Sequence, residues 1–457
     1  MRCAVGCLGL LAVSTLAGQP SPFLGSVPSG APSSPPLALT LGDAISRGLK
    51  TNLGLLTSDS ASETARGERL QALSVLMPQF NARAGETIQQ SNLETVGFDF
   101  HFPGVSIPTI VGPFHYTDVR AYGSWTPFDY SARKNHRASE ERARAARLSV
   151  LDARDLVVQA TADAYLQIVA DTSRAASIQS QVETSQALYD RAADQQTAGT
   201  AAGIDVLRAQ VELKQQQQRL LAQKDQLEKD KLALGRVIGI PGAQEFRLAD
   251  TTPYAPLASL TQDQALRTAI EQRPDYQSYQ ARVRAAEEAV RAARGERYPT
   301  AGVTADYGDV GKTLASSHGT FSFVASAKVT IFDGGRITAD IVQAKAALKQ
   351  RQDELADLAG QVDFQVRSAF LDIRSAADQV AVARDSLDLA NQTLAQARDR
   401  FSAGVTDNIE VIQAQESVAS ANDGLISALF AHNLAKVALA RAMGGTEQGI
   451  RTLLEVK

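Results

Sequence analysis

Cysteine is almost absent from the chain: of 457 residues, only Cys3 and Cys7 carry thiols. Both stand inside "MRCAVGCLGLLAVSTLAGQP", where one Arg, a short apolar run and small residues around Ala17-Gly18 read as a secretory signal, 1–18. The mature chain is therefore expected to have no disulfide and no thiolate chemistry. Lipid attachment at Cys7 is disfavoured, because six residues are too few for a positive region and an apolar core. No other apolar run of that kind follows, so no transmembrane helix is expected. Excess charge is missing too. With 46 basic and 50 acidic residues spread along the chain, no concentrated basic face exists for nucleic acid. The five histidines, His101, His115, His136, His318 and His432, lack metal-ligand spacing. There is no nucleophile elbow, phosphate loop or HExxH motif. Acidic pairs such as Glu140-Glu141 and Glu287-Glu288 fall on charged helix faces, where solvation explains them. No catalytic, cofactor or metal-binding residue is expected, and an enzyme is not.

What the chain does contain is itself, twice. "DQQTAGTAAGIDVLRAQ" at 194–210 returns as "DRFSAGVTDNIEVIQAQ" at 399–415, with Asp, Ala, Gly, Ile, Val, Ala and Gln in matching places. "LTLGDAISRGL" at 39–49 resembles "LTQDQALRTAI" at 260–270, "PFD" at 127–129 resembles "IFD" at 331–333, and "LGRVIGI" at 234–240 resembles "LARAMGG" at 439–445. These matches divide the chain into a Pro/Ser-rich, flexible leader (19–38), a first repeat (39–242), a linker (243–258), a second repeat (259–445) and a tail (446–457). The first repeat carries an insertion at about 96–114.

Each repeat has one internal order. A helix opens at Thr40 or Thr261 as N-cap and runs over 40–76 or 261–297, with Pro274 placed to kink or restart the second. Two strands follow, at about 79–92 and 115–128 in the first repeat and 299–311 and 319–333 in the second. A very long helix comes next, about 130–197 and 336–402. Glycine-centred tips at about 198–204 and 403–408 lead into return helices ending near Gly239 and Gly444. At 1.5 Å per residue, a helix of this length reaches about 100 Å, too long for a globular domain. A return helix and an N-terminal helix laid end to end match it, which suggests a rod. On the second long helix Val366, Ile373, Val380, Leu387, Leu394 and Phe401 repeat every seven residues, with Ala369, Ala376, Ala383, Ala390 and Ala397 between them. That is a coiled-coil seam whose alanines permit close approach.

The strands alternate. In "GTFSFVASAKVTIFD" Phe321, Phe323, Ala325, Ala327, Val329 and Ile331 share one face, and Ser322, Ser326, Lys328 and Thr330 the other. Val119, Ala121, Gly123 and Trp125 keep the same alternation, as do Ala301, Val303, Ala305 and Tyr307. Such strands fit a transmembrane barrel with a wet interior, and equally a half-buried soluble sheet. In lipid, four strands cannot close, so a membrane barrel would have to be shared between chains.

"LTLGDAI", "LMPQF", "RYPTA", "FDGGR" and above all "RFSAGVTDNIEVIQAQ", duplicated and in order, resemble the TolC-like outer-membrane efflux protein family over nearly the whole mature chain. The resemblance implies a mainly α fold with a small β part: antiparallel coiled-coil helices in two tandem repeats, plus four strands contributing to a shared trimeric 12-stranded transmembrane β-barrel. It implies a homotrimer in the outer membrane lipid with its tunnel in the periplasm, acting as exit duct of an efflux pump or type I secretion system. The expected partners are a periplasmic adaptor and an energised inner-membrane transporter. The tips around Gly199, Thr200, Gly404 and Val405 then become adaptor contacts. Asp205, Phe401, Thr406, Glu410 and Gln413 become aperture candidates. Asp205 matches the Asp that some members bond to a Tyr and an Arg, but Phe401 and Thr406 stand where those partners would be. A ring of Glu410 would favour cations. The competing readings are a periplasmic adaptor, which would normally carry one hairpin, and a coiled-coil scaffold, which leaves the signal and the strands unused.

Overall fold

The computed structural model describes residues 21–31, 35–97, 104, 108–199, 202–242, 244–250, 254–257, 260–403, 405–406 and 408–454. The signal segment, His101 and most of the insertion, Thr200 and Gly404 therefore lie outside the described residues. In chain order the elements are β1 (Leu37–Leu39), α1 (Leu41–Thr51), α2 (Leu53–Ser74), β2 (Gln79–Asn92), β3 (Ile110–Phe128), α3 (Tyr130–Thr197), α4 (Gly203–Ile238) and β4 (Phe246–Leu248). Then follow α5 (Gln262–Gln272), α6 (Pro274–Gly295), β5 (Thr300–Gly311), β6 (His318–Lys328), α7 (Arg336–Ser402), α8 (Asn408–Met443) and α9 (Thr446–Leu453). The chain forms two compact units. The sheet unit comprises Asp59–Leu151 and Pro274–Val362; the helical unit comprises the residues up to Ser58, Asp152–Arg273 and the residues from Asp363 onward.

In the sheet unit the strands run antiparallel in the order β2-β3-β5-β6, so β2 and β6 each have one strand neighbour among the described residues. The register places Ala82 beside Ala121, Ala121 beside Tyr307 and Tyr307 beside Phe321. The next row toward the helices is Phe80, Gly123, Ala305 and Phe323. Because side chains alternate along a strand, these rows make one continuous apolar face. It is uncovered: Phe80, Phe321 and Phe323 are 83%, 78% and 66% exposed. The opposite face is mostly polar, with Val310 and Val324 among its apolar members. There Arg120 donates to Asp306 at 3.0 Å and to Thr320 Oγ1 at 2.9 Å, and pairs with Asp118 at 3.3 Å. One guanidinium thus ties three strands together.

Where the strands end, the duplicated "FD" shows its purpose. Asp129 Oδ1 accepts from Ala132 N at 2.8 Å and so caps α3. Asp333 accepts from Ile337 N at 2.8 Å and Gly335 N at 3.0 Å, capping α7. Gly334 and Gly335, both at positive φ, give the turn that makes this possible. Those backbone donors, the one from Ile337 foremost, hold the Asp333 carboxyl below its ordinary range. Beneath the sheet, Ser278 Oγ donates to the Ala145 carbonyl at 2.9 Å, and Lys134 and Arg284 pair with Glu288 and Glu141 at 3.0 and 2.8 Å.

The helical unit is centred on an apolar core. Leu39, Leu41 and Ile45 pack there with Val158, Ile168, Leu234, Ile238, Val437 and Ile450. Tyr165 is buried among them and donates to the Leu39 carbonyl at 3.1 Å and to Asp250 at 3.2 Å. Burial, reinforced by the Asp250 charge, pushes its phenol above the ordinary range. The heptad seam of α7 is buried where it meets α8: Ala369 and Ile373 pack on Ala435 and Leu439. Near the far end Ala397 packs on Val411 and Ala414. Asp163 on α3 is held by burial at a pKa of about 7, and its Oδ1 has no hydrogen-bond partner.

Several expectations change. Each N-terminal helix is two helices: the second restarts at Pro274, one of the two outcomes expected of that proline, whereas the break of the first at Asn52 was not expected; Asn52 and Arg273 are both in extended backbone. Asn52 is fully buried; its Nδ2 donates to Phe23 O at 2.7 Å and Val237 O at 3.3 Å, and its Oδ1 accepts from Gly54 N. Arg273, 2% exposed, donates to Gln365 Oε1 and the Ala442 carbonyl instead. Side-chain bonds thus replace the helical ones lost at the break. The leader is not loose where described: Val27 N donates to Thr51 O, Ser29 N to Gly239 O, and β1 pairs in parallel with β4. The linker therefore contains a strand, and the tail contains α9. Strand β3 begins at Ile110 rather than 115, and β6 stops at Lys328 rather than 333. Finally, α8 is long and apolar enough by composition alone to cross a membrane, and half of its most apolar stretch is buried in the chain.

Candidate functional site

The two tips are built differently from one repeated sequence. At the first, α3 ends with Ala198 N donating to Asp194 O and Gly199 N to Gln196 O, both at 2.9 Å. Gly199 has φ +72° and open space around its α-carbon, so its backbone angle, not crowding, calls for glycine. After the undescribed Thr200, α4 starts at Gly203 without a side-chain cap. Asp205 supplies negative charge in that first turn and pairs with Arg208 at 3.4 Å on its own helix.

At the second tip Val405 N donates back to Arg400 O at 3.0 Å, at the end of α7. Val405 is 69% exposed and Thr406 is half-buried. Phe401 is half-buried against the cluster of Ala397, Val411 and Ala414, and the Arg191 guanidinium lies 5.3 Å from its ring centroid. Glu410 opens α8 and pairs with Arg400 at 3.2 Å. Gln413 faces an open groove of about 1300 Å³ between α7 and α8, which Leu371, Val382, Glu416 and Ser420 also line.

Of the five aperture candidates, Phe401 is therefore engaged by the first hairpin, through Arg191, and Glu410 by its own hairpin. Glu410 thus has an arginine beside it within its own hairpin. Arg191 and Arg400 were missed in the sequence. Arg400 stands ten positions before Glu410 across a turn, and no periodicity relates positions on opposite sides of a turn. Among the described residues no group of three or more His, Cys, Asp or Glu converges on a metal-sized space.

With this architecture described, comparison with known proteins becomes specific. The outer membrane efflux protein family model matches residues 44–240 and 265–445, both repeats with the sheet between their helices. The chain belongs to the outer membrane efflux protein family. Outer membrane protein OprJ of Pseudomonas aeruginosa is 28% identical over 335 residues, covering 69% of this chain and 65% of OprJ. Cation efflux system protein CusC of Escherichia coli K12 is 24% identical over 347 residues, 72% of this chain and 71% of CusC. The match thus spans about two thirds of the length of these curated relatives. Among solved structures, the Campylobacter jejuni CmeC outer membrane channel superposes with a TM-score of 0.77 at 16% identity, over 91% of this chain and 89% of that one. The open state of the Neisseria gonorrhoeae MtrE outer membrane channel gives 0.75 at 18% identity, over 90% and 89%. At such identities the likeness establishes the fold: family helices, family sheet, two repeats.

Proposed function

We propose that three copies of the chain form a channel-tunnel in the bacterial outer membrane, with the helices in the periplasm. It serves as the exit duct of a tripartite efflux pump or a type I secretion system. The observation that carries this reading is the four-stranded sheet: one face presents uncovered apolar rows from Phe80 to Phe323 and from Ala82 to Phe321, the other carries Arg120 with its carboxylates, and among the described residues both edge strands lack an outer neighbour. An apolar face of that breadth needs lipid or protein against it, and backbone groups at an edge cannot be left unpaired in lipid. Pairing β6 of one copy with β2 of the next satisfies both demands. Three copies give twelve strands, within the range of known membrane barrels.

In this reading the duct does no chemistry; an inner-membrane transporter supplies the energy and a periplasmic adaptor docks at Gly199, Thr200, Gly404 and Val405. Asp205, Phe401, Thr406, Glu410 and Gln413 line or brace the aperture. Opening it separates the second hairpin from the first and breaks the Arg191–Phe401 contact. Relatives named for toluene and for cations share the family, so the family alone does not specify cargo. Light scattering on the detergent-extracted protein, with the detergent mass subtracted, should give three chain masses, and the same sample should conduct in a planar bilayer. A detergent-free soluble monomer would end the proposal. If the trimer conducts, Arg400→Ala should unpair Glu410 and raise cation selectivity, and Glu410→Gln should lower it.

A further inference from the structure

In the helical unit, where a coiled coil ordinarily has only apolar side chains inside, a partly open cavity of about 200 Å³ has polar side chains on its wall. Its wall includes Thr184 and Ser185 of α3, Glu212 and Gln216 of α4, Arg398 of α7 and Gln415 of α8. Glu212 and Gln216 are only 6% and 2% exposed. Gln216 donates its amide to Glu212 Oε1 at 2.7 Å, which turns its own Oε1 into the space; that oxygen is buried and has no partner. Both amide atoms of Gln415 are buried and unpartnered as well. Among the described residues, Glu212 forms no ion pair. Arg398, the cationic group on the wall, is exposed and forms none either.

A carboxylate withdrawn from water without a counter-charge is strongly unfavourable, and orphaned amide oxygens beside it add to the cost. We infer that the cavity is a binding site for a hard cation, an alkali or alkaline-earth ion. Its donors are the Glu212 carboxylate and the Gln216 and Gln415 amide oxygens. The hydroxyl of Thr184 donates to Ser180 O at 2.9 Å and keeps its lone pairs available. Oxygen donors with a single charge suit such an ion rather than a transition metal. Water completes the coordination and accepts from the Gln415 amide. Because Glu212 and Gln216 belong to the first hairpin and Gln415 to the second, a bound ion clamps the two together. The site lies within one chain and does not depend on the duct reading.

Thermal unfolding of the full-length protein in detergent tests this, followed by circular dichroism in N-methylglucamine, sodium, calcium or magnesium chloride at matched ionic strength. A saturable rise in Tm of about 3–6 °C with sodium or with a divalent ion, lost in Glu212→Gln, supports the site. Which salt acts identifies the charge of the ion. Equal Tm in all salts, or an identical rise in Glu212→Gln, overturns it and leaves a cavity filled by water. Should Glu212→Gln fail to fold, the salt comparison on the unaltered protein still decides, and Gln415→Leu, close in size, removes a second donor.

Discussion

Phe323 and Ser322 are neighbours in β6 and point to opposite sides of the sheet, so one pair of substitutions separates a membrane barrel from a soluble sheet. Phe323 sits at the middle of the strand, opposite Ala305 and on the uncovered apolar face. An arginine placed there would lie near the bilayer midplane and cost about 2–4 kcal/mol per chain, hence about 6–12 kcal/mol for three chains closing one barrel. Ser322 lies opposite Asp306, on the face where Arg120 and Thr320 already interact. An arginine there meets water and a carboxylate, and Ser322→Arg should change stability by less than about 1 kcal/mol. Folding from urea into phospholipid vesicles, read by tryptophan emission from Trp125 and by heat-sensitive gel mobility, gives both values. Phe323→Arg should fail to insert or refold poorly, whereas Ser322→Arg should behave as the parent. If Ser322→Arg is as damaging as Phe323→Arg, or neither matters, the apolar face does not meet lipid and the membrane argument fails.

Three further outcomes are expected. Asp163, with a folded pKa of about 7 against an ordinary value of 3.8, prefers its protonated form in the fold. Its contribution to stability should therefore fall as pH rises from about 4 to 7, and Asp163→Asn should flatten urea midpoints measured across that window and raise them at pH 8. Gly239 stands at φ +69°, and a Cβ there would lie 2.5 Å from Thr51 Oγ1, so Gly239→Ala should cost about 1–3 kcal/mol by thermal melting, whereas Gly67→Ala, in open space on a helix, should be neutral or stabilising. Arg120→Met removes the bonds to Asp306 and Thr320 and leaves the carboxylates of Asp118 and Asp306 close together. It should lower the midpoint of barrel unfolding by about 1–3 kcal/mol, with partial recovery in Arg120→Met/Asp306→Asn.

Much of this was legible because it is periodic. The absence of Gly and Pro between Phe128 and Gly199 marks α3, the seven-residue rhythm from Val366 to Phe401 marks the α7 seam, and strict alternation marks the face of β6. What could not be read depends on partners distant in sequence. Nothing local distinguishes Asn52 from a mid-helix asparagine; its break depends on the carbonyls of Phe23 and Val237. The aligned position in the second repeat is Arg273, and only there does the next residue, Pro274, mark the joint. The pairing of β1 with β4 joins three-residue strands about 200 residues apart, too short to alternate visibly. At the tips, the tightness of each turn could be inferred from Gly199 and Gly404. The arginines could not be placed, because Arg191 meets Phe401 only when the first hairpin packs on the second.

In the proposed three-copy barrel, the two edges of each chain's sheet have a genetic consequence. A chain that folds its helices but carries a damaged β2 edge still offers an intact β6 edge to its neighbour, and so joins a ring that it prevents from closing. In a cell making equal amounts of damaged and sound chains, only about one three-chain ring in eight would be free of a damaged copy. Lesions confined to one edge should therefore be dominant over the normal gene, whereas lesions that unfold the whole chain should be recessive.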